Sequence, residues 1–394
     1  MWPKVEYEEI PWERSDDALL MIPRSKRRKI TSTYQAAVPA TIASASWRAP
    51  SDLLTRSSDL RALIARFDQN QAARGYNLPA LMLRSESSSS SQIERLTSSV
   101  RNVALAELSD KTPKNAQVIA GNVSAMRKAI ADPGTLDLAT VESIHDTLMR
   151  GTDKRSGLRD EQVWIGGTPY SPHGAIFVPP HASRVAPALD DLFAFARRGD
   201  IDPIAKSAIF HAQFETIHPF TDGNGRTGRA LLHRQLAEEE VLIHATLPIS
   251  AGLLNNVNSY MGALGAYHDG KLEPIIECLL DALELAMVIG SHMASEVDAV
   301  LDRWNDAINN RAGSAALRLP ALLVEQPVVN IAYVSDHLGI TDRAARNLVS
   351  MACERGILQK IGNAKRGAFY QASELIDIME EASGKEGIRR MAAQ

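Results

Sequence analysis

Apolar residues recur three and four positions apart along most of this chain, and this period restricts it to a mainly helical fold. In the first such run, Leu60, Leu63, Ile64 and Phe67 are expected to share one buried face. The period predicts helices around 60–67, from Ile93 to Leu108, over 116–130 and 139–149, from Asp202-Pro203 to Ile217, and over 272–310. Between the first two lies SESSSSSQIERL, whose composition is typical of a flexible linker.

Composition excludes several classes of protein. The chain has 394 residues, of which 45% are hydrophobic and 23% charged, so it can bury a large core and is not a disordered polymer. Its two cysteines, Cys278 and Cys353, are too few for a disulfide framework or a cysteine-based zinc site. The polar start and the absence of a long apolar run predict no signal peptide and no membrane span. We therefore expect a cytoplasmic protein.

Charge is unevenly distributed. The net charge is -4, from 43 Lys and Arg against 47 Asp and Glu, which argues against the whole surface binding a polyanion. A basic cluster from Arg24 to Lys29 ends the polar segment 1–30, and we interpret it as a solvated lead-in. A second basic stretch lies near the carboxyl end of the chain.

The sequence from 157 to 180 differs from its helical surroundings. It is rich in glycine, proline and strand formers, with Val163-Trp164-Ile165-Gly166 and Ala175–Val178 on either side of the central turn residues. This pattern predicts a small β-hairpin on a helical domain.

Another pattern occupies the carboxyl-terminal region. It predicts a helix, a turn at Gly339, a second helix capped by Thr341 and a hairpin around Gly362-Asn363, which together are typical of a winged helix-turn-helix. From Thr341 to Arg366 there are six basic and two acidic residues. Such a surface suits duplex phosphate, but folds of this kind also dock proteins, and both partners remain open.

The most informative stretch is HPFTDGNGRTGR, residues 218–229, which lies between two predicted helices. Backbone N–H groups at a helix start lack partners and attract anions, and Gly223 and Gly225 allow a phosphate to approach the backbone. Arg226 and Arg229 lie on one side of the following helix, where they can contact successive phosphates. The stretch therefore predicts a polyphosphate site.

Two further side chains in this loop suit catalysis. Asp222 offers the hard oxygen that Mg²⁺ uses when it bridges a carboxylate and substrate phosphates. His218 has an unperturbed pKa suited to accepting a proton near neutral pH. Each residue alone has an ordinary structural explanation, but one loop that combines all of them favours a phosphorylated ligand.

Residues 218–229 resemble the signature of the Fic (Fic/Doc) family, H-x-F-x-[D/E]-G-N-G-R-x-x-R, at every fixed position. The resemblance implies a mainly α fold: a Fic-type helical bundle with a small β-hairpin flap and a carboxyl-terminal winged helix-turn-helix domain. The implied units are a polar segment (1–30), an amino-terminal helical region with an inhibitory helix (31–110), a Fic core (111–290), a linker helix (291–315) and the winged-helix domain (316–394).

The resemblance also implies a function. Fic enzymes transfer AMP from ATP to a Ser, Thr or Tyr hydroxyl of a target protein and release pyrophosphate. It implies these roles: His218 as the base, Asp222 as the Mg²⁺ ligand, Gly223, Asn224 and Gly225 as an anion hole, Arg226 at the β-phosphate, Arg229 at the γ-phosphate, and Val163, Trp164, Ile165 and Gly166 in the flap that docks the target strand. Tyr260 matches a tyrosine near the nucleotide, although a core position suits it equally.

The segment Ser90-Ser-Gln-Ile-Glu94 is similar to the family's inhibitory motif, [S/T]-x-x-x-E-[G/N]. Ser90 and Glu94 are four residues apart on one helical face, and a carboxylate there is expected to pair with Arg229 and displace the γ-phosphate. The departure is Arg95, where the family has glycine or asparagine. Arginine favours continuing the helix rather than ending it.

Several alternatives remain open at this level. The same site could remove AMP from a modified protein or use another nucleotide donor, and a protein of another class could combine DNA binding with a nucleotide-sensing Fic core. Dimers are frequent among Fic proteins, so a homodimer also stays open. The sequence does not identify the target protein.

Overall fold

The computed structural model describes residues 2–12, 30–131, 134–152, 156–308, 314–364 and 367–393. Helices make up most of them, as the apolar period predicts. The helices are α1 (Ser51–Ala72), α2 (Leu78–Ile93), α3 (Val100–Ala106), α4 (Lys114–Ala131), α5 (Leu138–Met149), α6 (Val185–Ala196), α7 (Pro203–Ile217), α8 (Asn224–Glu238), α9 (Ile249–Asn255), α10 (Val257–His268), α11 (Glu273–Ile308), α12 (Leu319–Glu325), α13 (Ile331–Leu338), α14 (Asp342–Glu354), α15 (Ser373–Ser383) and α16 (Lys385–Ala392). The strands are β1 (Glu6–Pro11), β2 (Thr33–Val38), β3 (Val328–Asn330), β4 (Gln359–Ile361) and β5 (Phe369–Gln371).

Helices α7 and α8 lie at the centre of the fold. As predicted, α7 begins at Asp202, whose carboxylate accepts hydrogen bonds from the N–H groups of Ile204 and Ala205, with Pro203 in the first turn. Almost every residue of α7, and of α8 as far as Leu236, is buried. Because both helices are surrounded by core, the loop that joins them is held at both ends.

The serine-rich stretch is a buried helix, and the linker interpretation was wrong. Helix α2 continues through Ser85 and Ser87 to Ser91, all of them buried, and ends at Ile93. Small side chains let α2 pack closely against α4 and α9, and Asn122 donates to the carbonyl of Ser87 at 3.1 Å. The predicted helix start at Ile93 is also wrong, because the chain turns there and α3 begins only at Val100.

Helix α1 buries a narrower face than the sequence indicated. Leu60, Ile64 and Phe67 are buried, but the side chain of Leu63 is 54% exposed, so the prediction for Leu63 was wrong. The helix packs against α11 along one stripe only, and Leu63 falls beside that stripe.

Strands β1 and β2 form an antiparallel hairpin that the sequence analysis missed. Its register pairs Glu6 with Val38 and Pro11 with Thr33. The two strands are far apart in sequence, so no short turn signal links them. The N–H of Ala37 donates to the carbonyl of Val178 at 3.0 Å, which joins this hairpin to the segment predicted as a flap.

The predicted flap hairpin is only partly formed. Its two sides meet in isolated bridges, Ile165 with Phe177 and Thr168 with Ser171, and the described residues Val163 and Trp164 lie outside any strand. Gly166 and Gly167 have φ values of 76° and 75°, which interrupt the extended backbone that a regular strand needs. The prediction of a β-hairpin is therefore corrected to a hairpin-shaped loop with single bridges.

The carboxyl-terminal elements follow the predicted order. Helix α13 ends at Gly339 (φ 63°), and α14 begins after Thr341, whose hydroxyl accepts from the N–H of Ala344 at 3.3 Å. Strands β4 and β5 pair on either side of the turn at Gly362, and β3 adds to β5 to give the order β3-β5-β4. Strand β3 and helices α15 and α16 were not predicted.

These elements pack directly on the helical core. Helix α11 runs without a break across 290, where the sequence analysis placed the end of the core. From α2, the buried Arg84 donates to the carbonyl of Glu325 at 2.7 Å and to the side-chain oxygen of Gln326 at 3.1 Å. The carboxyl-terminal elements therefore share one core with α2 and α11.

Three other expectations concern the chain as a whole. The basic cluster from Arg24 to Lys29 lies outside the described residues. Both cysteines are free thiols. Among the helices that the structure describes, none combines the length and the apolarity needed to cross a membrane.

Candidate active site

The loop between α7 and α8 reverses the chain with two residues in left-handed conformations. His218 ends α7 at φ 50° and ψ 62°, and Gly223 precedes α8 at φ 78°. A left-handed histidine is costly unless its surroundings fix it, and such strain is typical of functional loops. Here Arg159 donates from Nε to the carbonyl of His218 at 2.8 Å. The reversal leads from the end of α7 into the start of α8 within six residues, 218–223.

The interior of the loop is closed by Asn224. Its Oδ1 accepts from the N–H of Phe220 and its Nδ2 donates to the carbonyl of Phe220, both at 2.8 Å. Both polar atoms of the Asn224 side chain are therefore used in hydrogen bonds within the loop. Only the backbone of Asn224 remains for the anion hole that the sequence predicts.

The start of α8 carries a buried positive charge with two nitrogen atoms that lack acceptors. The side chain of Arg226 is 5% exposed, and its Nε and Nη1 atoms have no hydrogen-bond acceptor. Its Nη2 atom lies 3.6 Å from Oδ1 of Asp222. Burial lowers the pKa of this guanidinium. Unpaired buried donors are costly, and at a helix start they fit an anionic ligand.

Asp222 has the properties of a magnesium ligand. Its side chain is 42% exposed, and Oδ1 accepts from the N–H of Gly223 at 2.7 Å. No group of three metal-ligating side chains occurs among the described residues, so a protein cage is absent from this part of the chain. One carboxylate beside guanidinium donors that lack acceptors is an arrangement that would suit Mg²⁺ bound together with substrate phosphates.

The imidazole of His218 is oriented by the backbone. Its Nδ1 lies 3.3 Å from the carbonyl of Glu215, and because a carbonyl can only accept, Nδ1 carries the proton. Nε2 is then left as the acceptor, as a general base requires. Burial lowers the pKa of His218 to about 4.

This shift gives a prediction for the ligand-free protein. Because the folded pKa is depressed, the ring of His218 is expected to stay neutral in the folded protein as the pH falls from the ordinary value of 6.5 to about 4. The unfolded chain takes up the proton over this range, so the stability of the fold is expected to fall between pH 6.5 and about 4, with no further loss from this group at lower pH. An NMR titration of the imidazole carbon shifts measures this directly. A midpoint near 6.5 would contradict the buried geometry.

The arginine expected at the γ-phosphate is already paired. Arg229 is buried, donates from Nε to the Ser90 hydroxyl at 2.8 Å and from Nη2 to the Ser90 carbonyl at 2.8 Å, and meets Oε1 of Glu94 at 3.0 Å. A Cβ built on Gly225 would lie 2.0 Å from the same Oε1 atom. The Glu94 carboxylate therefore rests on the first turn of α8, where an anion is expected to bind.

The turn that places Glu94 is formed although Arg95 replaces the expected small residue. Arg95 adopts φ 61°, the N–H of Arg95 donates to the carbonyl of Gln92, and the N–H of Leu96 donates to the carbonyl of Ser91, both at 2.9 Å. The expectation that arginine continues the helix was wrong. The left-handed backbone of Arg95 has an energetic cost, and contacts elsewhere in the fold compensate for it.

Relief of that strain is testable. We expect Arg95→Gly to raise the free energy of unfolding by about 1 kcal/mol, because glycine adopts positive φ without steric cost. A matched control is Arg66→Gly on the exposed face of α1, which is expected to lose about 1 kcal/mol of stability. Chemical denaturation at constant m-value measures both changes. A loss of stability in Arg95→Gly would contradict the strained turn.

The flap residues are tied to the amino-terminal hairpin. Trp12 contacts the rings of Tyr34, Trp164 and His173 edge-on, with centroids 6.0, 6.0 and 6.1 Å apart. Beyond this cluster, Ile165 is 38% and Ile176 is 86% exposed. The apolar side chains of the flap thus face solvent while its base is fixed.

Two residues near the loop escaped the sequence analysis as site residues. Arg159 links the flap to the loop, since it also donates to the carbonyl of Pro180 at 2.5 Å. His145 on α5 contacts the backbone of Asp222. The only sequence signal for His145 was its position as a polar residue on a helix face that is otherwise apolar. Tyr260, in contrast, is a buried core residue whose hydroxyl lies 2.8 Å from Nε2 of His211.

The geometry defines a helical protein in which one loop carries the His218 ring, the Asp222 carboxylate and the start of α8. Comparisons with known proteins align with the region that contains this loop. Residues 135–236 match the family model described as Fic/DOC family. The matched residues include the whole loop 218–229.

Curated relatives align over the same region. One, named "Probable protein adenylyltransferase", is from Aquifex aeolicus and is 36% identical over 133 residues, 33% of this chain and 36% of that protein. Another, the protein adenylyltransferase fic-1 of Caenorhabditis elegans, is 40% identical over 167 residues, 42% of this chain and 30% of that protein. The chain thus spans about a third of the length of these relatives.

A solved structure extends the likeness of fold to most of the chain. The crystal structure of a Fic family protein from Desulfovibrio desulfuricans superposes with a TM-score of 0.55 at 21% identity, and covers 83% of this chain and 97% of that one. At this identity the match shows a shared fold, and it includes more of the chain than the Fic/DOC domain alone.

Proposed function

We propose that this protein is a protein adenylyltransferase that transfers AMP from ATP to a Ser, Thr or Tyr hydroxyl of a target protein and releases pyrophosphate. The observation that carries the proposal is the buried guanidinium of Arg226 at the start of α8, whose Nε and Nη1 atoms have no acceptor although Nη2 lies near the Asp222 carboxylate. Buried donors without acceptors suit an anionic ligand, and the loop also contains a base with its acceptor nitrogen available. The names of the aligned relatives support the same activity.

In this proposal each group of the loop has a role that its position supports. Nε2 of His218 accepts the proton of the target hydroxyl as its oxygen forms a bond to the α-phosphorus and the bond to the pyrophosphate oxygen breaks. The backbone N–H groups at Gly223, Asn224 and Gly225 and the guanidinium of Arg226 stabilise the phosphate charge. Mg²⁺ held by Asp222 would neutralise charge on the departing pyrophosphate. Positioning and electrostatics account for most of catalysis in phosphoryl-type transfer.

In this proposal Glu94 is an inhibitor built into the chain. Arg229 is the partner of the γ-phosphate, and its pairing with Glu94 at 3.0 Å leaves that phosphate without its cation. ATP then binds with its α-phosphate out of line with the target hydroxyl, which slows transfer. Ser90 holds Arg229 in the inhibited arrangement.

The remaining roles concern partners and regions. The flap around Ile165 docks an extended segment of the target by backbone pairing. Residues 31–110 act as the inhibitory region, 111–290 as the catalytic core, and 316–394 as a winged helix-turn-helix unit joined by 291–315. Arg343 and Arg346 on α14 give that unit a basic surface for DNA or a protein. In this proposal the protein acts in the cytoplasm. It acts as a monomer or as a homodimer.

The test is to compare ATP labelled at the α-phosphate with ATP labelled at the γ-phosphate, using the Glu94→Gly protein, Mg²⁺ and a cell lysate. Adenylyl transfer predicts that protein becomes labelled from α-labelled ATP and not from γ-labelled ATP. Label from the γ-position alone would identify phosphoryl transfer instead. No label from either would refute ATP as the donor.

The carboxyl-terminal unit contacts the turn that carries Glu94, which gives a further prediction. Glu380 on α15 accepts from the N–H of Val100 at 2.7 Å, and Gln92 donates to the carbonyl of Ser383 at 2.8 Å. We expect Glu380→Ala to raise basal label transfer about two- to fivefold, because its charge-assisted hydrogen bond holds the start of α3, to which the turn at Glu94 leads. Glu381→Ala on the same helix is the matched control. Equal rates in both variants would contradict the prediction.

A further inference from the structure

His145 is a buried polar residue that the proposed mechanism does not use. It lies in α5, is 0% exposed, and occupies a helix face otherwise made of Val141, Ile144 and Leu148. Its Nδ1 atom has no hydrogen-bond partner. An apolar residue at this position would avoid the cost of an unpaired buried nitrogen, so the other contacts of the ring explain its presence.

Those contacts all go to the catalytic loop. Nε2 of His145 lies 3.0 Å from the carbonyl of Asp222, and because a carbonyl accepts, Nε2 is the donor. The ring stacks on Phe220 with centroids 3.7 Å apart and planes 4° apart. The backbone N–H and carbonyl of Phe220 both form hydrogen bonds with the side chain of Asn224. One imidazole thus fixes the loop at two positions.

The rest of α5 supports the same surface. A Cβ built on Gly223 would lie 3.1 Å from Cδ2 of Leu148 and from Sδ of Met149, and 3.6 Å from Cδ2 of His145. The last turn of α5 therefore lies directly beneath Gly223. With the carbonyl of Asp222 held by His145 and its Oδ1 held by the N–H of Gly223, this residue is fixed at both its backbone and its side chain.

We propose that His145 is a positioning residue that holds Asp222 in the orientation in which its carboxylate binds the divalent cation of the bound nucleotide. The inference rests on the proposed function, since it assigns Asp222 to that cation. Groups that orient a metal ligand typically contribute 10- to 100-fold to metal affinity. The donor atom Nε2 is the part of His145 that this role requires.

The experiment measures binding of Mn²⁺, in place of Mg²⁺, to the full-length Glu94→Gly protein with a non-hydrolysable ATP analogue, by electron paramagnetic resonance. We expect His145→Phe, which keeps a ring but loses the donor, to weaken Mn²⁺ binding roughly 10-fold. His145→Gln, which restores a donor, is expected to stay within about threefold of the parent. The control His292→Phe, on α11, is expected to leave binding unchanged.

The outcomes separate this inference from the proposed function. If the parent binds no Mn²⁺ with the analogue, the proposed function fails. If the parent binds but His145→Phe binds equally well, or His145→Gln is as weak as His145→Phe, the positioning role is overturned. Should His145→Phe not fold, His145→Met, which fills the space without a donor, carries the same expectation. A merely structural role would lower the amount of folded protein and leave the Mn²⁺ midpoint unchanged.

Discussion

Replacing His218 with alanine in the Glu94→Gly protein is expected to lower the rate of label transfer about 10²- to 10⁴-fold. The reason is the orientation of the ring: Nδ1 is held at 3.3 Å from the carbonyl of Glu215, which leaves Nε2 to accept the proton of the target hydroxyl. Initial rates with α-labelled ATP at saturating Mg²⁺ measure the effect. Nucleotide binding is expected to change little, because Arg226 and the start of α8 remain.

The matched control is His244→Ala, which removes an exposed imidazole. The contact of His244 with Asp68 is made by its backbone N–H and is kept in this variant. Its rate is expected to equal that of the parent. A loss of less than about threefold in His218→Ala would show that this ring is not the base. Equal losses in both histidine variants would point to an effect on folding instead.

The second large effect is expected from Glu94→Gly, which should raise label transfer about 10- to 100-fold over the wild-type protein. The pairing of Glu94 with Arg229 is a charge-assisted contact at 3.0 Å, and such contacts contribute about 1.5–3 kcal/mol. Its removal frees Arg229 for the γ-phosphate. The affinity for ATP should therefore rise, whereas the affinity for AMP, which has no γ-phosphate, should not.

Isothermal titration of both nucleotides measures this difference. Glu296→Ala, at an exposed acid on α11, controls for a change in net charge. An equal gain in affinity for ATP and AMP would show that Glu94 acts through general charge repulsion. No gain in rate would contradict the inhibitory role.

The catalytic loop could be predicted from sequence because its residues are contiguous. Helix α7 begins and ends at local signals, Asp202 and His218, and the glycines after it mark the next helix start. The geometry of a short loop between two buried helices follows largely from such local rules. Roles for Asp222 and Arg226 could thus be proposed before any contact was known.

Contacts between distant segments could not be predicted in this way. Nothing in the local sequence around His145 or Arg159 indicates that they meet the loop, because these contacts depend on how α5 and the flap pack. The linker prediction for the serine-rich stretch was wrong for a related reason. Its composition suits a linker, and only tertiary packing against α4 makes a buried helix of it. At Arg95, tertiary structure overrode the helix preference of the residue itself.

The central claim is that the loop 218–229 joins AMP to a hydroxyl group of a protein. The most direct measurement is tandem mass spectrometry of protein labelled by the Glu94→Gly variant with ATP and Mg²⁺, which identifies both the added group and the residue that bears it. We expect AMP in ester linkage to a Ser, Thr or Tyr side chain, and none with the Glu94→Gly, His218→Ala double variant. A phosphate or another group in place of AMP, or AMP transferred equally by the double variant, would contradict it.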